Sequence, residues 1–523
     1  MLRSHKSKPS LFLVVLSGLL LQASVCFSQQ ELSGEQSGVL PSGNYIATND
    51  IWVNGGTLWT LEPGVNISFD PSTDLTIYGT LRAIGTSSDS IYFRPTNSLE
   101  GFDGILLINN YSRSIFDYCV ITGSSEYAIS SNVYASVNIF NSRFSHNNIA
   151  NASLSSLLLE SEAIDTIRST FFTNNFGNAL HISQSHAILD SLYISYNSTG
   201  IIVDNSDCQI TNSLISNNSS GGINAYGYSS CIIDSCTIAY NTNTEGAGLH
   251  TSNATYLLLS RSLFYNNNAT QNGGGFYSFC GVPSTIINCV FYDNYASSLG
   301  SSIYTNRGNF YNSVIMNSNG SNAVYLYDEQ LSSMINCCFF NNNTNISFDT
   351  PEPLYLHDFG ILSNTNINGD STDIYENIFL DPSFISTSID NFYPTSISPC
   401  IDAGSSYTDL DPDSTFSDIG IHFYDQNSFV SDTSLNPPLK SIFSYPNPFN
   451  NIVNISIISA YNHRVKITIF NVRGQLIHSR KIIPHSNTST FTWRPHDNIS
   501  SGVYFLLASD NECTLSTKLV FLK

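Results

Sequence analysis

The sequence predicts an all-β protein in two parts, a long parallel β-helix followed by a small β-sandwich. Three observations carry this. A short phrase, clearest as "NCVFYDN" at Asn288–Asn294, recurs from Asn141 to Asn336 with starts 22 to 27 residues apart. That is the spacing of a repeat architecture. A second apolar series, led by Leu180, Ile201, Ile223, Leu249, Phe276, Ile303 and Val324, advances in step with the first. Finally, composition changes near residue 440. Residues 31–439 hold no lysine, seven arginines and 37 acidic residues, a net of −30, whereas residues 440–523 carry a net of +6. Two parts of opposite charge read as two modules.

In chain order, residues 1–28 read as a signal peptide: Arg3, Lys6 and Lys8 precede an apolar run from Leu11 to Leu21, too short to span a membrane. No transmembrane segment is expected in the mature protein. Residues 39–430 are assigned to the β-helix. Its opening coils, "GTLWTLEPGVNISF" and "LTIYGTLRAIGT", turn at Pro63-Gly64 and Gly79. Each later phrase alternates apolar and polar residues, the pattern of a half-buried strand. An asparagine then follows: Asn147, Asn174, Asn197, Asn218, Asn241, Asn267, Asn294 and Asn342. Asparagine tolerates a left-handed turn, and its amide can bond the asparagine of the next rung. A third strand per coil is expected but poorly marked. Residues 431–439, with Pro437-Pro438, read as a linker. After it, "RVKITIFNV", "GVYFLLAS" and "STKLVFLK" alternate as the strands of a sandwich.

The opening coils and the closing stretches "NIFLDPSF", "SISPCIDAG" and "SDIGIHFY" resemble those of secreted right-handed parallel β-helix proteins of the pectate-lyase-like superfamily. "SYPNPFN" from Ser444, "ITIFNVRGQLI" from Ile467, "SSGVYFLL" from Ser500 and the terminal "TKLVFLK" resemble the C-terminal sorting domain of type IX secretion substrates, an immunoglobulin-like β-sandwich. This second resemblance implies that residues 440–523 engage the type IX secretion machinery. It further implies export to the medium or the outer-membrane surface of a Gram-negative bacterium of the Bacteroidetes kind.

An acidic helix offers no basic face for phosphates, so nucleic acid is excluded as a partner. Cys289 and Cys337 stand where Ser142, Ser213 and Ser313 stand in other copies, and read as small residues stacked inside the coil. Cys208 and Cys231 fall on neighbouring rungs, where a disulfide is one of the open pairings. The loop "DLDPDSTFSD" gathers Asp409, Asp411, Asp413 and Asp418, hard oxygens of the kind calcium takes, without the glycine and terminal glutamate of an EF-hand loop. A solvated acidic loop explains the same residues.

If Leu249, Phe276, Ile303 and Val324 point inward, the residues after them point out. Those are His250, Tyr277, Tyr304 and Tyr325, an exposed ladder suited to the apolar faces of sugar rings. His181 and Asn224 extend it, Ile202 interrupts it, and Glu245, Arg307, Asp328 and Glu329 lie near it in sequence. A ladder that stabilises the coil by stacking alone explains the same rings. The function expected is a secreted or surface β-helix that binds glycan. The alternative is a polysaccharide lyase or glycoside hydrolase acting on an acidic polysaccharide. The absence of lysine excludes a lysine base, and no paired-carboxylate motif is recognisable. A purely structural spacer or adhesin arm is the third reading.

Overall fold

The computed structural model describes residues 29–108, 113–132, 134–160, 162–253, 255–327, 332–349, 356–388, 391–406 and 408–426, and residues 439–523 apart from 460–464, 472–474, 483–487, 497–498 and 510–513. The expected signal peptide and nearly all of the expected linker lie outside these residues. The chain divides into two compact units between Asp425 and Gln426.

In the first unit each coil carries three parallel strands, as in Ser230–Asp234, Thr237–Ala239 and Leu249–Asn253. Ser230–Asp234 belongs to a 13-stranded parallel sheet that runs the length of the solenoid. The poorly marked third strand is therefore regular, and in most coils it is five residues long. The solenoid begins with a strand at Gln30–Glu35, ahead of the expected start at residue 39.

The repeated phrase is built on two left-handed residues that bracket a three-residue strand. They are Ser235 and Tyr240 in one coil, Arg261 and Asn266 in the next, and Asn288 and Asp293 after that. Left-handed backbone is uncommon outside glycine and is best tolerated by Asn and Asp, which accounts for the recurrent Asx at these corners. The buried amide follows the second corner. Asn147, Asn175, Asn197, Asn218, Asn241, Asn267 and Asn294 form one continuous ladder in which each side chain donates to the amide oxygen of the next rung. Asn174, expected in this ladder, is the left-handed corner residue (φ 57°), and its neighbour Asn175 holds the rung. Where the phrase is shorter, Ser318 takes the rung and its N–H donates to Asn342 Oδ1.

Inside the coil, apolar side chains stack on their own kind from rung to rung. Phe144 lies on Phe172 with ring centroids 4.7 Å apart, and Phe264 on Phe291 at 4.8 Å. Each fully buried large apolar side chain contributes roughly 1.5–3 kcal/mol. Cys289 and Cys337 are buried and free in the serine column, as expected. In that column the Ser262 hydroxyl donates to the Ser260 carbonyl and accepts the Cys236 N–H. Cys208 and Cys231 pair in register on neighbouring rungs and are both free thiols.

The closing segment lies along the outside of the later coils. Ile378, Phe392, Cys400, Ala403 and Ile419 bury against Leu263, Val290, Val314, Met316 and Cys338. Leading asparagines of the repeat hold it: Asn288 Nδ2 donates to the carbonyls of Asp418 and Gly420, and Asn312 Oδ1 accepts the Ser405 N–H. Phe359 and Phe379 cover Phe339 at the last rung of the aromatic stack.

The second unit is two antiparallel sheets, one of three strands and one of four. Between them lie Val453, Ile455, Ile457, Ile467, Ile469, Trp493, Leu506 and Leu519. The "SYPNPFN" stretch is tied to the final strand: Asn447 Oδ1 accepts the Val520 N–H, and Phe449 exchanges backbone bonds with Val520 and Leu522.

Candidate functional site

The predicted outward ladder is assembled. Leu249, Phe276, Ile303 and Val324 are fully buried. His250, Tyr277, Tyr304 and Tyr325 are register partners on four successive rungs. Tyr277 stacks on Tyr304 at 4.9 Å and 15°, Tyr304 on Tyr325 at 5.2 Å and 18°, and His250 tilts against Tyr277 at 4.9 Å and 51°. Upstream, Leu158, His181, Ile202 and Asn224 continue the line, so Ile202 does interrupt it.

One expectation needs correction. The three tyrosine rings are turned face to face, and the spacing of neighbouring rungs brings their faces into contact, while His250 tilts at the upstream end. The ladder therefore presents ring edges and hydroxyls, and Tyr304 is only 8% exposed. Broad aromatic exposure lies two residues further along the same strands, at Phe279 and Tyr327. Both are 45% exposed, and they meet edge to face at 5.4 Å. Strict alternation along the strand would have marked these positions in the sequence.

One wall of the ladder is a corner lengthened in the coils from Thr242 to Gly300. Thr242–Asn243, Asn268–Ala269 and Tyr295–Ala296 form a small sheet there over Ala247, Ala269 and Ala296. Gly246 and Gly273 return the chain to the ladder four residues before His250 and Tyr277, at φ 59° and 62°. A Cβ on Gly246 would lie 2.8 Å from His250 Cα, and one on Gly273 2.8 Å from Tyr277 Cβ. Glycine is required by both the backbone angle and the close approach.

This corner delivers Glu245. Its carboxylate accepts a bond from Asn272 Nδ2 at 3.0 Å, and its charge acts on the Tyr277 hydroxyl. His250 Nδ1 lies 3.3 Å from the Glu245 carbonyl, a donated N–H that leaves Nε2 as an acceptor. Burial holds the His250 pKa below its usual value, so the ring is neutral at pH 7. Burial, then the Glu245 charge, pushes the Tyr277 hydroxyl up to about 12. Burial, then Tyr277 and Tyr325, does the same for Tyr304, to about 12. Both stay protonated donors. Arg307 points its Nη1 at the Gly281 carbonyl, 2.6 Å away. Asp328 and Glu329 lie outside the described residues.

The expected calcium loop is not arranged as one. Asp418 accepts the backbone N–H of Asp402 and of Tyr424, each at 2.7 Å, Asp411 accepts that of Asp418 at 2.8 Å, and Asp413 accepts the Thr415 hydroxyl at 2.8 Å. Asp409 is exposed. These carboxylates fasten the closing segment to itself. Among the described residues no three His, Cys, Asp or Glu side chains are grouped to hold a metal ion.

Family comparison decides the architecture. A model of the right handed beta helix region matches residues 155–309 and 199–379, and a model of the secretion system C-terminal sorting domain matches residues 444–522. The chain carries a right-handed β-helix joined to a secretion sorting domain. The sorting domain marks it for export by type IX secretion to the cell surface or extracellular space. No helix among the described residues is long and apolar enough to cross a membrane.

Among curated proteins, the chain is 29% identical over 202 residues to metabotropic glutamate receptor-like protein R of Dictyostelium discoideum. That match covers 31% of this chain and 13% of that protein. It is also 29% identical over 91 residues to protein bark beetle of Drosophila melanogaster, covering 17% and 3%. The chain thus spans a small part of both relatives. Among solved structures it is similar to a periplasmic alginate epimerase, with 12% identity, 58% of this chain and 78% of that chain covered, and a TM-score of 0.32. It is also similar to the enzymatically active domain of bacteriophage CBA120 tailspike protein 2, with 10% identity, 94% and 72% covered, and a TM-score of 0.19.

Proposed function

We propose that this exported β-helix is a glycan-binding protein of the outer surface of a Gram-negative bacterium, and that the ladder from His250 to Tyr325 is its binding strip. The observation that carries this reading is the row of register-matched tyrosines along the helix axis, walled by the glycine corner that delivers Glu245. A sugar chain laid along the axis meets a repeating line of hydroxyl donors and acceptors. Beside them, the Phe279–Tyr327 pair offers an aromatic shelf for a pyranose face.

A second reading has its own support. The ring faces are occupied by one another and Tyr304 is nearly covered, which suits a ladder that stabilises the coil at roughly 0.5–1.5 kcal/mol per aromatic pair. A glycan array separates the two when probed with wild type, Tyr277→Ala/Tyr304→Ala and Tyr277→Phe/Tyr304→Phe. The binding reading expects wild type to bind and both variants to lose signal, the phenylalanine pair without loss of thermal stability. Absence of wild-type binding, or equal binding by all three, would leave only the structural role.

A further inference from the structure

We infer that the strip accepts an uncharged, hydroxyl-rich polysaccharide and rejects polyuronates. This rests on the glycan reading above and narrows it to a ligand class.

The charges beside the strip decide the matter. Along the ladder three carboxylates stand beside the rings: Asp204, two residues past the Ile202 that pairs with His181; Glu245, held by Asn272 at the corner before His250; and Asp349, two residues past the Ser347 that pairs with Tyr325. Arg307, whose Nη1 donates to the neutral Gly281 carbonyl and whose Nε has no hydrogen-bond partner, is a single cation against these three carboxylates, and the whole segment 31–439 has no lysine and a net of −30. His181 and His250 are both held neutral by burial and offer no charge. A polyuronate brings one carboxylate per sugar. Laid here, a row of them would lose water with a single arginine to pair, while facing the like charge of Asp204, Glu245 and Asp349.

The polar groups that remain suit hydroxyls. Carboxylates accept hydroxyl protons, the protonated tyrosines both donate and accept, and His250 Nε2 accepts. An uncharged polymer with many hydroxyls pairs with these groups without adding charge.

The test is affinity electrophoresis of the secreted protein in native gels. The gels contain xylan, mannan or mixed-linkage β-glucan on one side, and polygalacturonate or alginate on the other, each with EDTA and with added calcium. Retardation by at least one uncharged polymer and by neither polyuronate is expected. Tyr277→Phe, which keeps the stack, should weaken that retardation about tenfold, the loss typical of an anchoring contact. Glu245→Gln, which keeps the bond from Asn272 but removes the charge, should raise polyuronate affinity several-fold, about threefold to tenfold. Polyuronate binding as tight as or tighter than that of the uncharged polymers, with or without calcium, would overturn the inference and leave the glycan reading standing. So would a Glu245→Gln variant with unchanged polyuronate affinity. Failure of every polymer to retard the protein would overturn both.

Discussion

Replacing Asn267 by leucine should unfasten the solenoid locally and severely, while Asn174→Gly should do almost nothing. The Asn267 side chain is fully buried and makes four bonds. Its Nδ2 donates to the Ile238 carbonyl at 2.8 Å and to Asn294 Oδ1 at 3.0 Å, and its Oδ1 accepts the Asn241 N–H and Asn241 Nδ2, both at 3.1 Å. Leucine fills a similar volume and makes none of them. Asn294 Oδ1 keeps the Asn267 N–H and the Ile238 carbonyl keeps its place in the parallel ladder, but the Asn241 N–H and one Asn241 amide proton are left unpaired in a dry coil. At about 1–3 kcal/mol for each buried orphan, the loss is about 2–6 kcal/mol. Asn174 is exposed and left-handed, a conformation glycine adopts freely, so Asn174→Gly should stay within about 1 kcal/mol. In a solenoid each coil contacts chiefly its neighbours, so the damage should be regional. Hydrogen exchange read by mass spectrometry should show faster exchange in peptides from about residue 236 to 300 in Asn267→Leu, with the first coils unchanged. Unaltered exchange there, together with an unaltered urea midpoint, would refute the argument that the amide ladder holds the corners.

Removing residues 440–523 should leave the helix folded but retained in the periplasm, because the sorting domain is a separate unit with its own core; truncated protein in the culture medium would contradict this. The closing segment should be firmer in acid. Burial, joined by the Asp411 charge, outweighs two backbone N–H donors and pushes the Asp418 carboxyl from the usual 3.8 up to about 7; burial first, then Asp413, moves Asp411 to about 6. Both folded values lie above the unfolded ones, so their contribution is fully present below about pH 4 and is lost as pH rises through 6 to 7. Amide protection of residues 400–424, corrected for intrinsic exchange, should fall between pH 5 and pH 8, and Asp418→Asn should flatten that dependence.

The period of the coil was legible because two features recur in every copy, the Asx corners and the inward apolar lead of each second strand. Register then followed from alternation alone, and it placed His250, Tyr277, Tyr304 and Tyr325 on one line. The third strand was expected but poorly marked, for a physical reason. Segments such as "SCIID" and "GNFY" need only alternate residues inside, their outer positions vary, and the conspicuous Asn or Asp that follows belongs to the next corner. Asn174 and Asn175 were indistinguishable by residue type, since one asparagine serves a left-handed corner and its neighbour a buried bond. The aspartates from 409 to 418 look like metal ligands in sequence because the spacing that offers oxygens to an ion also offers them to the chain's own N–H groups, and only the fold shows which is taken. The same limit applies to the ladder. Alternation says that a ring points outward, but ring orientation depends on what sits one rung away. Tyrosine next to tyrosine at strand spacing turns face to face, so a strip that reads in sequence as a row of aromatic platforms becomes a row of hydroxyls, and the chemistry to test there is hydrogen bonding more than stacking.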